Sequence, residues 1–368
     1  MQQRRFLPML TTLLLAAAGS GSLMAAGGPL DFTLQKVTDD IYVAVRPIVN
    51  RIPVEGNVTF IINEQDVVVV DAGGFPQSAR NLIALLETLT DKPVSTLINT
   101  HWHGDHNLGN QVWLQKYPVL DLVAHENTKL AMTGPAMDYV EEEVKQMDGY
   151  KEVLQQRIET GKFRDGRDID AESLQRYKTM LNDLPALVNA ASEIVITPPT
   201  RTFKDSLILQ RGERKIKVFF LGRGNTNGDA IVYVPDQETV ITGDLVVLPI
   251  PYGLNSFPED WILTLQQLRD MKWKFLIPGH GAVQTDDFYL ADLQDLLKEV
   301  RKQVYKGVAH GFELEKIREN LNLDEYAEKF SRGSSRNRML FEAYWKQPIS
   351  ESAYKEARGE PIIQSGAD

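Results

Sequence analysis

Along the chain, short apolar runs and amphipathic stretches follow one another in a regular order. Two short strands within residues 32–45 flank the turn Thr38-Asp39-Asp40, and Val58–Ile62 and Val67–Val70 read as two more, split by Asn63-Glu64-Gln65. The last run is apolar on both faces, the pattern of a strand covered on both sides. It ends in Asp71-Ala72-Gly73-Gly74. Ser78 is then expected to cap a helix whose Leu82, Leu85, Leu86 and Leu89 fall on one stripe. Another buried strand, Val94–Ile98, delivers the chain into Asn99-Thr100-His101-Trp102-His103-Gly104-Asp105-His106. A strand feeding a polar loop is where α/β folds place chemistry. Residues 120–124 repeat the strand pattern and end at His125.

The rhythm breaks between about 135 and 193. Met137, Val140, Val144, Met147, Leu154 and Ile158 track one helical face, residues 161–168 form a charged turn, and Asp170 can cap a second helix. Pro185 should end or kink that second helix. This is the pattern of a helical insertion. Strands resume at 206–209, 216–220, Ala230–Val234 and 239–242, followed by a helix over 260–271 and a strand, Phe275–Ile277, running into Pro278-Gly279-His280-Gly281. The next helix carries Leu293, Leu296, Leu297, Val300 and Val304 on one face and is expected to stop at Gly307. Beyond it the tail reads as helical, charged and chemically silent.

The first residues stand apart from this order. Arg4 and Arg5 precede an apolar stretch, residues 6–18, and small residues follow through Gly28, the three-part layout of a secretory signal peptide cut near Ala25 or Ala26. Gly19 and Ser20 interrupt the stretch short of the roughly 20 residues that a membrane span needs. The expectation is a periplasmic or secreted protein with no stable membrane span after processing. The organisation expected is a leader over 1–26, one α/β domain over 30–310 interrupted by the insertion, and a helical extension over 311–368.

Composition narrows the chemistry. With no cysteine, disulfides, thiolate nucleophiles, iron–sulfur clusters and thiolate-held zinc are all excluded, so any metal must rest on His, carboxylate or amide. A formal charge of -10 opposes nucleic-acid binding, and Arg332, Arg336 and Arg338 read as a solvated patch too small to change that. The partner expected is a small-molecule substrate.

Six histidines are present, and three of them, His101, His103 and His106, share six residues with Asp105. In an extended backbone alternate side chains point the same way, so His101 and His103 can share one metal while Asp105 and His106 turn toward a second. Here the sequence resembles the metallo-β-lactamase superfamily, whose first motif is H-x-H-x-D-H after a buried strand. Asp71-Ala72-Gly73 is similar to the family's D-x-G turn, Thr242-Gly243-Asp244 to the strand-end G-D that supplies a bridging carboxylate, and Pro278-Gly279-His280-Gly281 to the P-G-H-G that supplies the last histidine. The resemblance implies an αββα sandwich with its site at one edge between two sheets. It implies one metal held by His101 and His103, another by Asp105, His106 and His280, and Asp244 bridging both. The implied cofactor is zinc, one or two ions, with iron and manganese left open.

One position departs from the family pattern. Where a third histidine is expected the chain reads Gly222-Arg223-Gly224-Asn225-Thr226, and Asn225 is either a weak ligand or a substrate contact. An amide oxygen is a poorer zinc donor than imidazole, so the first metal position should be the weaker. His125 could substitute as a ligand from the neighbouring strand end, though a lone histidine there is more often packed or placed behind the ligands. Asp71 is expected to fix a ligand, Asp105 to orient water or pass its proton, Tyr252 to line the substrate cleft, and Trp102 to form a wall; His310 carries no role. The resemblance implies water activated at neutral pH by two cations attacking a small ester, lactone or thioester. A β-lactam is the alternative substrate, and a metal-binding protein with a decayed catalytic site is the alternative class.

Overall fold

The computed structural model describes residues 23–24, 28–46, 54–163 and 166–364. The expected leader lies outside them except for Leu23–Met24. Two sheets form the centre. The first holds β1 (Leu23–Met24), β2 (Thr33–Lys36), β3 (Ile41–Val45), β4 (Val58–Ile62), β5 (Val67–Val70), β6 (Val94–Ile98), β7 (Asp121–His125) and β8 (Arg201–Phe203), in that spatial order. Its strands are antiparallel as far as β5 and parallel from β5 to β8. The second holds β9 (Ser206–Arg211), β10 (Arg214–Phe220), β11 (Ala230–Val234), β12 (Thr239–Ile241) and β13 (Phe275–Ile277), antiparallel until β12 and β13 pair in parallel.

The four-valine run of β5 shows why the sheets stack. Val68 and Val70 face inward, where they join Ile41, Val43, Ile98 and Val123 against Val218, Val232, Ile241 and Ile277 of the other sheet. Val67 and Val69 face outward and are covered by Leu82 and Leu86 of the helix Pro76–Glu87 and by Trp113 of the helix Asn110–Lys116. The second sheet is covered in the same way by the helices Pro258–Asp270 and Phe288–Ala309. The layers are thus helix, sheet, sheet, helix, the αββα sandwich expected. The insertion is a pair of helices, Asp138–Thr160 and Ala171–Ser192, and Asp170 caps the second by accepting from the Ser173 N–H at 2.8 Å.

Three helix boundaries differ from the sequence reading. The first helix begins at Pro76, whose fixed φ suits a first helical position, so Ser78 lies inside it and donates its hydroxyl to Glu55. The second insertion helix continues through Pro185 to Ser192, because Pro185 sits on the exposed face while Leu184, Leu187, Ala190 and Ala191 hold the opposite face in place. Gly307 does not end its helix, which runs on to Ala309. Its lack of a side chain instead admits Ile317, whose Cγ1 would lie 2.6 Å from an added Cβ. Beyond that helix the chain forms Leu314–Asn320, Asp324–Ser331, Ser335–Leu340, a π-helical turn Phe341–Lys346, and Gln347–Arg358. Phe330, Phe341, Trp345 and Ile349 from this region enter the same core as Trp261, Leu293 and Leu297. Among the described residues no helix is long and apolar enough to cross a membrane.

Candidate metal centre

Five chain segments converge at one edge of the sandwich. Strands β5 and β6 are parallel, so both deliver the loops at their C-terminal ends to that edge, with Asp71 after β5 and His101 to His106 after β6. Strands β12 and β13 do the same for Asp244 and His280. Asn225 arrives on the turn between β10 and β11.

His101 lies at a bend after β6 and His103 on extended chain, and a one-turn helix, Gly104–Asn107, then swings Asp105 and His106 to a different side. The result is two groups of three donors: His101, His103 and Asp244 in one, Asp105, His106 and His280 in the other, with the donor atoms of each group within 4.8 Å of one another. Asp244 faces both. Its Oδ2 lies 3.6 Å from His101 Nε2 and 3.9 Å from His103 Nδ1, while its Oδ1 lies 3.2 Å from His106 Nε2 and 3.4 Å from His280 Nε2. Asp105 Oδ2 lies 3.1 Å from His280 Nε2 and 3.4 Å from His106 Nε2. Gly279 makes this approach possible, since an added Cβ would run into Asp244 Oδ1 and lie 2.7 Å from the Gly243 carbonyl carbon.

Asp71 organises two of the imidazoles. It is buried, with a φ of 66°, and accepts from the Thr100 N–H at 2.7 Å, the Thr100 hydroxyl at 2.9 Å and His106 Nδ1 at 2.8 Å. Because the Thr100 hydroxyl donates to Asp71, it accepts from His101 Nδ1 at 2.9 Å. One carboxylate therefore fixes the proton of His106 directly and that of His101 through a hydroxyl, leaving both Nε2 lone pairs turned toward the centre.

The electrostatics favour a cation. Burial alone would lower His280, but the adjoining Asp244 and Asp105 carboxylates push it up to about 9. Burial opposes charge on His106 as well, yet Asp105, Asp244 and Asp71 hold it well above its ordinary value. His106 and His280, packed among buried carboxylates, take up positive charge, which a divalent ion supplies with neutral imidazole as donor, whereas burial and the neighbouring His106 hold His101 well below its ordinary value. The fit extends to two buried oxygens, Asp244 Oδ1 and Asn225 Oδ1, which have no hydrogen-bond partner. The residues present therefore suit a metal, with nitrogen and oxygen donors only.

Other expected residues divide. Tyr252 reaches the centre, its ring edge-on to His103 at 5.5 Å, and its backbone oxygen accepts from Asn225 Nδ2 at 2.7 Å. Trp102 packs edge-on to His103 at 4.6 Å. His125 does not join the two donor groups: Nε2 faces the Lys204 carbonyl at 2.9 Å, Nδ1 accepts from the Asn127 N–H, and the ring lies against Phe203 and Phe220. It caps the helix Glu126–Thr133.

The sequence reading missed three residues. Glu55, buried, accepts from the Gly74 N–H at 2.7 Å beneath the Asp71 turn, and burial pushes its carboxyl up to about 7. Tyr139, from the insertion, accepts from the Gly104 N–H at 3.0 Å. Gln364, near the end of the chain, bonds to the turn that carries Asn225. Glu55 precedes a detectable cue, Gly56, whose missing side chain lets His106 pack against it; the other two had none.

The fold agrees with the comparisons. The profile of the metallo-beta-lactamase superfamily matches residues 51–302, and the chain belongs to that superfamily, whose members are metallo-hydrolases. A linear primary-alkylsulfatase from Pseudomonas sp. is 25% identical over 235 residues, covering 59% of this chain and 40% of the relative. The chain thus aligns with less than half the length of that curated relative. A stereoselective inverting sec-alkylsulfatase from Pseudomonas sp. superposes with a TM-score of 0.57 at 14% identity, over 89% of this chain and 50% of the other. A metallo-beta-lactamase from Pontibacter korlensis gives 0.48 at 18% identity, over 73% of this chain and 99% of the other.

Proposed function

We propose that this protein is a zinc-dependent hydrolase of small esters, a class that includes lactones and thioesters, and that it works as an exported protein. The observation that carries this reading is Asp244, whose two oxygens face two separate donor groups. Four imidazoles and two carboxylates form a donor set suited to zinc. Zinc held by these residues would make a bound water acidic enough to ionise near neutral pH and would polarise the bond under attack.

The chain's own residues supply the rest. Asp105 is 27% exposed on its side chain, the most open of the six donors that flank the centre, and its carboxylate takes a proton from water and returns it to a leaving oxygen or sulfur. Asp71 and Thr100 keep His106 and His101 in the tautomers that offer Nε2. Trp102, Tyr252 and Tyr344, which lies 6.1 Å from Tyr252, give an aromatic wall suited to an apolar acyl or alkyl group. Asn225 offers an uncommitted amide oxygen to a metal or a substrate.

A second substrate reading, an alkyl sulfate ester, is supported by the alkylsulfatase relative. The test is to load metal-stripped protein with Zn²⁺ and assay lactone, thioester, carboxylic ester, alkyl sulfate and β-lactam substrates. Metal-dependent turnover of an ester, lactone or thioester supports the first reading, and turnover of the sulfate alone moves the assignment to the second. Inertness toward all five would overturn the hydrolase reading. With a working substrate, Asn225→Ala should reduce turnover, and an unaltered rate would remove Asn225 from the site.

A further inference from the structure

The end of the chain, silent in the sequence, returns to the centre. After the helix Gln347–Arg358 the irregular segment 359–364 brings in Gln364, which is 1% exposed. All four hydrogen-bonding positions of its amide are filled by three separate loops. Oε1 accepts from the Asn227 N–H at 3.0 Å and from the Trp102 indole N–H at 3.3 Å; Nε2 donates to the Asn255 carbonyl at 2.9 Å and the Asn225 carbonyl at 3.3 Å. Trp102 stands between His101 and His103 in the chain, and Asn225 is the residue whose side-chain oxygen has no partner.

We propose that Gln364 is a positioning residue for the first donor group, pinning the Asn225 turn to the His101–His103 loop so that the Asn225 amide oxygen stays free of protein donors. Asn225 Nδ2 donates to the Tyr252 carbonyl, its backbone carbonyl accepts from Gln364 Nε2 and its backbone N–H donates to Asp229, so the other three polar groups of that residue are committed. No bond from Gln364 reaches the group of Asp105, His106 and His280. The effect of changing it should therefore be one-sided.

This inference rests on the reading that both donor groups bind metal. The side chain in Gln364→Glu has the same shape but presents a carboxylate to two carbonyl oxygens; in Gln364→Met it fills the space with no hydrogen bonds. Full-length wild type and both variants, stripped of metal, are titrated with Zn²⁺ against a chromophoric chelator, and with Co²⁺ to follow its visible absorption bands. Wild type should take up two equivalents. In the variants one equivalent should weaken at least tenfold, as losses around metal ligands do, with one set of Co²⁺ bands altered and the other kept. Two equivalents with wild-type affinity, or both weakened together in step with a lower Tm, would overturn the inference while leaving the metal reading intact. Fewer than two equivalents in wild type would overturn the two-metal reading and this inference with it. If Gln364→Glu does not fold, Gln364→Met decides.

Discussion

Single atoms decide how the centre is held. Asp71 sits at a φ of 66°, a region that asparagine tolerates far better than most residues, so Asp71→Asn changes charge and one proton more than backbone. Its amide cannot accept from His106 Nδ1 and Thr100 with both side-chain atoms, and the proton pattern that runs through Thr100 to His101 is broken. Metal affinity should fall about 10- to 100-fold, read by chelator competition on metal-stripped protein; unchanged affinity would mean that the imidazoles are oriented by something else. Gly279→Ala acts by volume. The methyl group has no space beside Asp244 Oδ1, and the Gly243 and Asp244 backbone behind it cannot swing aside as a side chain can. A stability loss of about 1–3 kcal/mol should accompany weakened uptake of both metal equivalents, checked by urea unfolding and metal titration. Wild-type uptake in this variant would show that Asp244 can shift without cost.

At the scale of elements, residues 54–57 form an irregular segment beneath the loops, and Glu55 ties it to the start of the helix Pro76–Glu87. Burial raises its carboxyl from an ordinary 4.5 to about 7. Between those values the folded chain keeps a proton that the unfolded chain has released, so the unfolded state binds fewer protons and stability falls as pH rises through that window. The shift corresponds to on the order of 3 kcal/mol at most. Urea unfolding at pH 5 and pH 8 should show a smaller decline for Glu55→Gln than for wild type, and equal declines would contradict the assignment. Strands such as Val67–Val70 were legible in the sequence because burial on two faces leaves an unbroken apolar run. Helix ends were less so. Ser78 has the chemistry of a cap, but its hydroxyl went to Glu55, and Pro185 breaks helices in isolation, but the apolar face of its helix packs and holds it straight through. Both outcomes depend on partners that local pattern does not contain.

The whole molecule repeats that division. Six donor residues were readable because four of them crowd one loop and the others stand in motifs of known order, whereas Gln364 is one polar residue whose partners lie between 109 and 262 positions away. Distance along the chain also hid how the C-terminal helices belong to the fold. Trp345 is fully buried and meets Trp261 at 5.9 Å, while Phe330 meets Tyr289 at 5.4 Å, so this region covers helices that themselves cover the second sheet. Removing residues 311–368 would expose Trp261, Leu293, Leu297 and Val300 to water at once. A layer shared in this way should unfold as one unit with the sandwich. Trp345→Ala deletes a fully buried indole and should lower stability by about 3–5 kcal/mol while keeping a single transition. Thermal unfolding followed by far-ultraviolet circular dichroism and by tryptophan fluorescence should give coincident curves in wild type and variant. Two separated transitions, with the variant shifting only the first, would instead make the C-terminal helices an independent unit that reaches the metal centre through Tyr344 and Gln364.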